Sequence, residues 1–358
     1  MMTGATGFLG IHLLPHLLTR HDRIIALGRA SPRSAKDRIL SALEDIGQPL
    51  SVRTRADSAL ITVEADLTLP GLGLTSSTAQ HLSQGLEAIW HSAASTALNG
   101  RPATLTATNV EGTRHVLELA SAAPSAVVHH ISTAFVAGRR RSGLMREDDP
   151  LPAAGFENLY EHSKSQAEHL VRDWAQRHHR IAAIYRPSVL VTDRSLAPST
   201  PADPVRGMVT AFRLHRNQDD RVVIRAAGAP DGRINMIPVE QAARLITSLA
   251  SRQPIEPGRV RASHITHTTD VPFQDVLRLL EVTHPVTFTL VPQKPSDPTP
   301  AEYLSYQIMR GYLPYAFHRR SYERASIQTA ALDEDDATVI DTDYLLRGLT
   351  PAHRQISR

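Results

Sequence analysis

The sequence predicts an α/β protein: a doubly wound parallel sheet with a smaller, discontinuous C-terminal lobe. Three observations carry that reading. In "TGATGFLG", Gly4, Gly7 and Gly10 stand at the mouth of a segment with helical apolar spacing. Short β-branched runs then alternate with helix-length segments, the signature of βαβ units around a parallel sheet. After about Val191 that order gives way to stretches punctuated by Pro and Ser.

Taken in order, "FLGIHLLPHLLTR" reads as the first helix and "RIIALGR" as a strand. Further strands follow in "LITVEADL", "EAIWHSAA", "AVVHHIS" and "AAIYRPSVLV", each rich in β-branched residues. Between them, "TATNVEGTRHVLELASAA" and "NLYEHSKSQAEHLVRDWAQRH" have the amphipathic pattern of helices that cover a sheet. Only Met1, Met2 and Thr3 precede the glycine turn, whereas an ordinary strand runs about five or six residues. The first strand is therefore expected to be abbreviated, by a start placed too late or by a short natural terminus. "TDRSLAPSTPADP" reads as a surface crossing out of the sheet domain, and "INMIPVEQAARLITSLA" as a strand and helix returning to it. The expected division is residues 1–191 with 234–250 as a Rossmann domain, and 192–233 with 251–358 as the substrate lobe. "DEDD" at 333–336 reads as a solvated loop.

Composition narrows the function classes. Against 36 Asp and Glu stand 39 Lys and Arg, a formal net charge of only +3. "GRRR" at 138–141 lacks interleaved aromatics, so no nucleic-acid partner is expected. Cys is absent, which excludes a disulfide scaffold, a thiolate nucleophile and a Cys-ligated metal. Eighteen His residues invite a metal reading, but "HHIS", "QRHHR" and "HSAA" lack ligand spacing, so no metal is expected. His91 is the exception to watch, because it stands beside the cofactor strand. No apolar run approaches the roughly 20 residues of a membrane span, and no signal peptide opens the chain, so a cytoplasmic protein is expected. No G-x-S-x-G elbow supports an acyl-enzyme hydrolase.

The glycine spacing suits a dinucleotide. Gly4 permits a tight turn, Gly7 lets backbone approach a pyrophosphate, and Gly10 lets the helix pack close, with its N-terminal N–H groups facing the phosphates. Gly4, Thr6, Gly7, Phe8, Leu9 and Gly10 are the expected contacts. The second strand ends in "LGRA", where an NAD site would place an acid for the ribose hydroxyl. Arg29 suits a 2′-phosphate instead, which favours NADPH over NADH. Asp66 and Leu67 of "EADLT" follow a strand, where the carboxylate could accept from the adenine amino group. Ala93 and Ala94 in "HSAAS" are small residues where the cofactor passes close to a strand end.

The chemistry concentrates in "YEHSK", which puts Tyr160 and Lys164 four apart on one helix face. A phenol titrates near pH 10, and a nearby ammonium is expected to lower it, making Tyr160 a usable proton donor. Upstream, "HHISTAFVAG" ends a strand with Ser132 and Thr133, hydroxyls able to donate to a substrate oxygen. The aromatics of "YLPYAF" and "FRLHR" are candidates for lining the lobe or for its core.

Together these residues resemble the extended short-chain dehydrogenase/reductases. The match runs through "TGATGFLG", "ADL", "HSAA", "NVEGT", "ISTAFVAG", "YEHSK" and "RPSVLV". Within that branch the chain is most similar to thioester reductase domains of carboxylic acid reductases and peptide synthetases, and to the fatty acyl-CoA reductase, or male-sterility, group. "LGRASPRSAKDRILSALEDIG", "DLTLPGLGLT", "STAFVAG" with "ENLYEHSKSQAE", and "NMIPVEQAARLI" carry that closer resemblance, and "GYLPYAFHRRSYERA" adds a loose one.

The resemblance implies Thr133 as the active hydroxyl with Ser132 behind it, Tyr160 as proton donor, and Lys164 as its tuner and nicotinamide-ribose ligand. It implies a structural or proton-relay role for Asn109, and places Pro187 and Ser188 beside the nicotinamide. Glu240 departs from the more usual Asp and implies a structural duty. The implied reaction is hydride transfer from NADPH to an acyl thioester on CoA or a carrier protein. Loss of thiolate from the hemithioacetal gives an aldehyde, and a second cycle gives an alcohol. An extended-branch ketone reductase, alcohol dehydrogenase or epimerase needs the same Tyr160 and Lys164 and is the alternative. A catalytically silent cofactor-binding protein is the third reading. The resemblance also implies a monomer or homodimer.

Overall fold

The computed structural model describes all residues except 151, 153, 198–199, 202, 215–220, 253–254, 333–337 and 350–358. The "DEDD" segment therefore lies outside the described residues. Seven strands form the central sheet: β1 (Met2–Thr3), β2 (Ile24–Gly28), β3 (Leu60–Glu64), β4 (Ala88–His91), β5 (Val127–Ile131), β6 (Ala182–Pro187) and β7 (Val260–Ile265). All pairings are parallel, in the order β7-β6-β5-β4-β1-β2-β3. The order reverses between β1 and β4, the crevice where doubly wound sheets hold their ligands.

β1 is as short as expected, yet it is the central strand. Met2 pairs with Ala26 on one side and Trp90 on the other, and Thr3 with Leu27 and His91. Trp90 N donates to Met1 O at 2.9 Å and Ser92 N to Thr3 O at 3.3 Å. Two neighbours fix its register where length cannot.

Helices cover both faces, as a parallel sheet requires. Phe8–Leu18 and Val239–Arg252 pack on one face around Leu13, Leu14, Leu17, Ile246 and Leu249. Gly112–Ser121 and Leu159–Arg177 cover the other with Val116, Leu117, Val171 and Trp174. The returning Val239–Arg252 helix thus packs on the sheet, while the strand before it, Met236–Pro238, pairs with Val189–Val191 in a separate two-stranded sheet. A separate core around Phe212, Ile224, Phe273 and Leu280 belongs to the lobe.

Two boundaries need correction. Val260–Ile265, assigned by sequence to the lobe, pairs along its whole length with β6 and is the edge strand of the main sheet. Its composition matched that of the lobe, and only pairing with a strand some 78 residues earlier reveals it. The Pro-rich crossing is not simply surface either. Leu196 and Asp203 in it are buried, and Pro201, Asp203 and Pro204 line the main cavity.

Candidate active site

The phosphate turn is built as its glycines require. Gly4 has φ +73°, and a Cβ there would stand 2.6 Å from Ala93 N. A Cβ on Gly10 would overlap the Gly4 carbonyl oxygen. Gly7 caps the Phe8–Leu18 helix in extended conformation with no side-chain cap, and the first turn carries no acid. The leading N–H groups of that helix are therefore left for an anion. Gly7, Phe8, Leu9 and Gly10 line the cavity there, while Thr6 sits in the turn itself. A cradle that any side chain would fill fits a pyrophosphate.

Around this turn, Ala94 lines the cavity and Ala93 N donates to Thr3 Oγ1 at 3.2 Å. Arg29 is exposed at the end of β2, close enough to Asp66 to favour its ionised form. Asp66 Oδ1 accepts from Thr68 N and Oγ1 at 2.9 and 2.8 Å, bonds that hold its carboxyl below the usual range. Leu67 packs at Gly112, and its carbonyl accepts from the His115 ring at 2.9 Å. Pro187 and Ser188 line the cavity beyond. Ser188 Oγ is buried with no hydrogen-bond partner among the described residues, a group left for a ligand.

Tyr160 and Lys164 share a face of the Leu159–Arg177 helix, whose start is fixed by Asn158, with Oδ1 accepting from Glu161 N at 3.0 Å. Thr133 ends the extension of β5; its hydroxyl donates to Pro187 O at 3.4 Å and accepts from Phe135 N at 3.3 Å, and it stands near enough to the Tyr160 phenol to favour its ionised form. Ser132 lies behind it, toward Glu168. Thr133, Tyr160 and Lys164 all line one cavity of 640 Å³ that begins at the glycine turn.

The expected tuning of the phenol is not what the structure holds. Burial, reinforced by the neighbouring Glu161 charge, pushes Tyr160 up to about 12. Lys164 Nζ donates to Ile131 O at 2.6 Å and lies 3.5 Å from His130 Nε2. Burial in turn brings the Lys164 ammonium down to about 8, against the opposing pull of Glu168. Four-residue spacing puts the two side chains on one face, but the strand beneath decides where a long amine points.

Asn109 lies in a π-helical turn, Thr106–Glu111. Its Oδ1 accepts from Ser95 N at 2.7 Å, and its Nδ2 donates to Ser95 O and Ser163 Oγ, both at 2.9 Å. With every bond so used, it ties the Ser95 loop to the helix of Tyr160. His91 is a buried strut: its ring bonds Thr3 Oγ1 at 2.8 Å and Thr113 Oγ1 at 3.0 Å. Desolvation lowers it to about 3, so it stays neutral. Glu240 accepts from Thr192 Oγ1 at 3.2 Å, away from the cavity lining.

The far cavity wall is apolar, including Leu98, Met208, Met236, Phe273 and Val276. Of the flagged aromatics, Tyr312 and Tyr315 line it. Phe212 does not: it is fully buried in the lobe core, 5.2 Å from His284. His215 and Arg216 of "FRLHR" lie outside the described residues. Met208, Phe273 and Val276 carried no motif that could have flagged them. A larger opening of 1160 Å³ at the β7 edge is lined by charged residues such as Arg146, Arg172 and Glu256, and touches none of the residues expected to hold the cofactor or carry the chemistry.

The family model described as male sterility protein matches residues 2–246. The chain belongs to this family. Male sterility proteins are NAD(P)-dependent oxidoreductases of the extended short-chain dehydrogenase/reductase type, which accounts for the nicotinamide-dinucleotide turn. Among curated relatives, the isonitrile lipopeptide synthase of Streptomyces coeruleorubidus is 37% identical over 52% of this chain and 13% of its own length. The Drosophila melanogaster fatty acyl-CoA reductase wat is 26% identical over 58% of this chain and 44% of its own. The chain thus spans less than half of either relative. The terminal R domain from the myxalamid PKS-NRPS biosynthetic pathway has the same fold, with TM-score 0.75 and 23% identity over 97% of this chain and 88% of that one. No helix among the described residues is long and apolar enough to cross a membrane.

Proposed function

We propose that this male-sterility-family protein is an NADPH-dependent reductase of acyl thioesters carried on CoA or on a carrier protein. One observation carries the reading: a single cavity runs from the glycine turn past Thr133, Tyr160 and Lys164 into an apolar lobe. A dinucleotide and an acyl chain can therefore meet at the phenol. The relatives named as a lipopeptide synthase and a fatty acyl-CoA reductase support a thioester over a free ketone.

Gly4, Gly7 and Gly10 would hold the pyrophosphate, Arg29 the 2′-phosphate, Asp66 the adenine, and Lys164, Pro187 and Ser188 the nicotinamide end. When bound, the dinucleotide supplies the hydride. Thr133 and Tyr160 stand side by side on the cavity lining, and with the weak 3.4 Å bond from Thr133 to Pro187 O released, both hydroxyls would donate to one carbonyl oxygen and stabilise charge developing there. With its proton held to about pH 12, Tyr160 is a donor at neutral pH. Lys164, charged below about 8, adds a positive field at the same end of the cavity. Apolar walls exclude water and favour an aliphatic acyl chain by roughly 0.8 kcal/mol per buried methylene.

The test follows NADPH oxidation and free thiol together, with an acyl-CoA and with an acyl carrier thioester. Thiol release in step with oxidation is expected; turnover of ketones without it would overturn the thioester reading. Tyr160→Phe is expected to abolish turnover and retain NADPH binding, and an unchanged rate would remove Tyr160 as the acid.

A further inference from the structure

Tyr160 is bracketed by two residues that bind the same distant side chain. Asn158 Nδ2 donates to Tyr315 Oη at 2.8 Å, and Tyr315 Oη donates to Glu161 Oε1 at 2.7 Å. Glu161 Oε2 accepts from Glu157 N at 2.9 Å. Glu157 in turn binds Arg141 at 2.7 Å and His318 at 3.3 Å. The Leu313–Tyr322 stretch therefore holds the start of the helix at two points, Tyr315 on Glu161 in its first turn and His318 on Glu157 just before its cap.

Tyr315 also lines the cavity that Tyr160 and Thr133 line, with its ring 4.9 Å from that of Phe135, another lining residue. Behind Phe135 the Arg320 guanidinium lies 5.2 Å over its ring and donates to Gly138 O at 2.8 Å. Glu161, Tyr315 and Arg320 are all buried, so these bonds operate out of water, where each is hard to replace.

We propose that Tyr315 is a positioning and specificity residue: anchored by Asn158 and Glu161 on either side of Tyr160, it seats the catalytic phenol and sets the wall of the acyl cavity. A hydroxyl spent on both flanks of the acid, and a ring that touches the substrate space, couple the lobe to the reaction centre. A tyrosine packed only for stability would need neither. This rests on the reading of Tyr160 as the acid and of the cavity as an acyl site.

The anchor also responds to pH. Burial pushes the Glu161 carboxyl up to about 7, with Glu157 adding to the rise and the Tyr315 hydroxyl, the Glu157 amide and Arg320 opposing it. Tyr160 and Tyr322 also feel its charge. The Tyr315 proton is held far above neutrality by burial and by Glu161, so it always donates. The bond is charge-assisted above pH 7 and weaker below it.

The test uses Tyr315→Phe and Glu161→Gln in the full chain. Tyr315→Phe keeps the ring and removes both bonds. Hydrogen exchange in 157–164 and 311–322 is expected to rise roughly tenfold, the equivalent of one charge-assisted bond. On thioesters from butanoyl-CoA to dodecanoyl-CoA, kcat/KM is expected to fall by a similar factor with a flattened chain-length preference. Glu161→Gln keeps a neutral acceptor for Tyr315, so it is expected to hold the chain-length preference and to show equal exchange protection on both sides of pH 7, whereas wild type loses protection as pH falls through about 7. Unchanged exchange in both segments for Tyr315→Phe overturns the proposal, as does an unchanged chain-length preference. Raised exchange in a protein whose wild type reduces no thioester supports the anchor and refutes the thioester reading instead.

Discussion

Replacing Glu168 by Gln tests how the site is held. Glu168 lies one turn beyond Lys164, wholly buried, and receives Arg186 Nε at 3.0 Å and Nη2 at 2.8 Å. Arg186 is itself only 3% exposed, and its remaining bond is to Glu147 O at 3.2 Å. The amide keeps the shape but leaves a guanidinium buried without its counter-charge, which costs about 3–5 kcal/mol. For 358 residues the unfolding entropy is about 0.75 kcal/mol/K, so Tm is expected to fall by roughly 4–7 °C. Scanning calorimetry reads the shift. Pairing Glu168→Leu with Arg186→Met is expected to recover most of it, because an apolar pair needs no counter-charge. Glu168 also supports the charged form of Lys164, so the alkaline fall of kcat/KM should move to lower pH in Glu168→Gln. A Tm within about 1 °C of wild type, or an unmoved alkaline limb, would refute the reasoning.

Three further outcomes follow. The Lys164 ammonium sits near 8 in the fold, against 10.5 ordinarily. Its charge is therefore opposed by the fold, so the stability of the protein should rise as pH passes from 8 to 10.5 while kcat/KM falls; urea titrations of wild type and Lys164→Met check the first, with the rise absent in the variant. Arg29→Asp should weaken NADPH by roughly 10–100-fold, the worth of a charge-assisted phosphate contact, and spare NADH; fluorescence titration of both cofactors would show an unchanged ratio if Arg29 were idle. Gly10→Ala forces a methyl onto the Gly4 carbonyl, so NADPH affinity should drop and stability fall by about 1–3 kcal/mol, measured by the same titration and by urea unfolding.

Much of the architecture was legible because it is written locally. The β-branched runs became β2 to β6, except that the run "AAIYRPSVLV" leaves the sheet at Pro187 and its Val189–Val191 pairs with Met236–Pro238 instead. The glycines became the turn, since the need for a missing Cβ at Gly4 and Gly10 is a short-range contact in the chain or across one strand pair. The last sheet strand was not legible: nothing in "VRASHI" separates an edge strand from a lobe strand until it meets β6. The cavity wall was only half legible. Tyr312 and Tyr315 stood out as aromatics, whereas Met208 and Val276 look like any core residue.

The sequence by itself determined the fold class, the family resemblance and the glycine turn, and it singled out Tyr160 and Lys164 by their spacing and Thr133 by the resemblance as the candidates for the chemistry. Periodicity and short spacings carry the first of these, and the quoted motifs carry the resemblance. Only the tertiary structure decided what those groups do electrically. Lys164 answers to Ile131 and His130 rather than to Tyr160, and Tyr160 rises rather than falls. Glu161 owes its partner to a tyrosine 154 residues further along the chain. A pKa is set by desolvation and by whichever charges face the group, and burial and facing partners exist only once the chain has closed on itself.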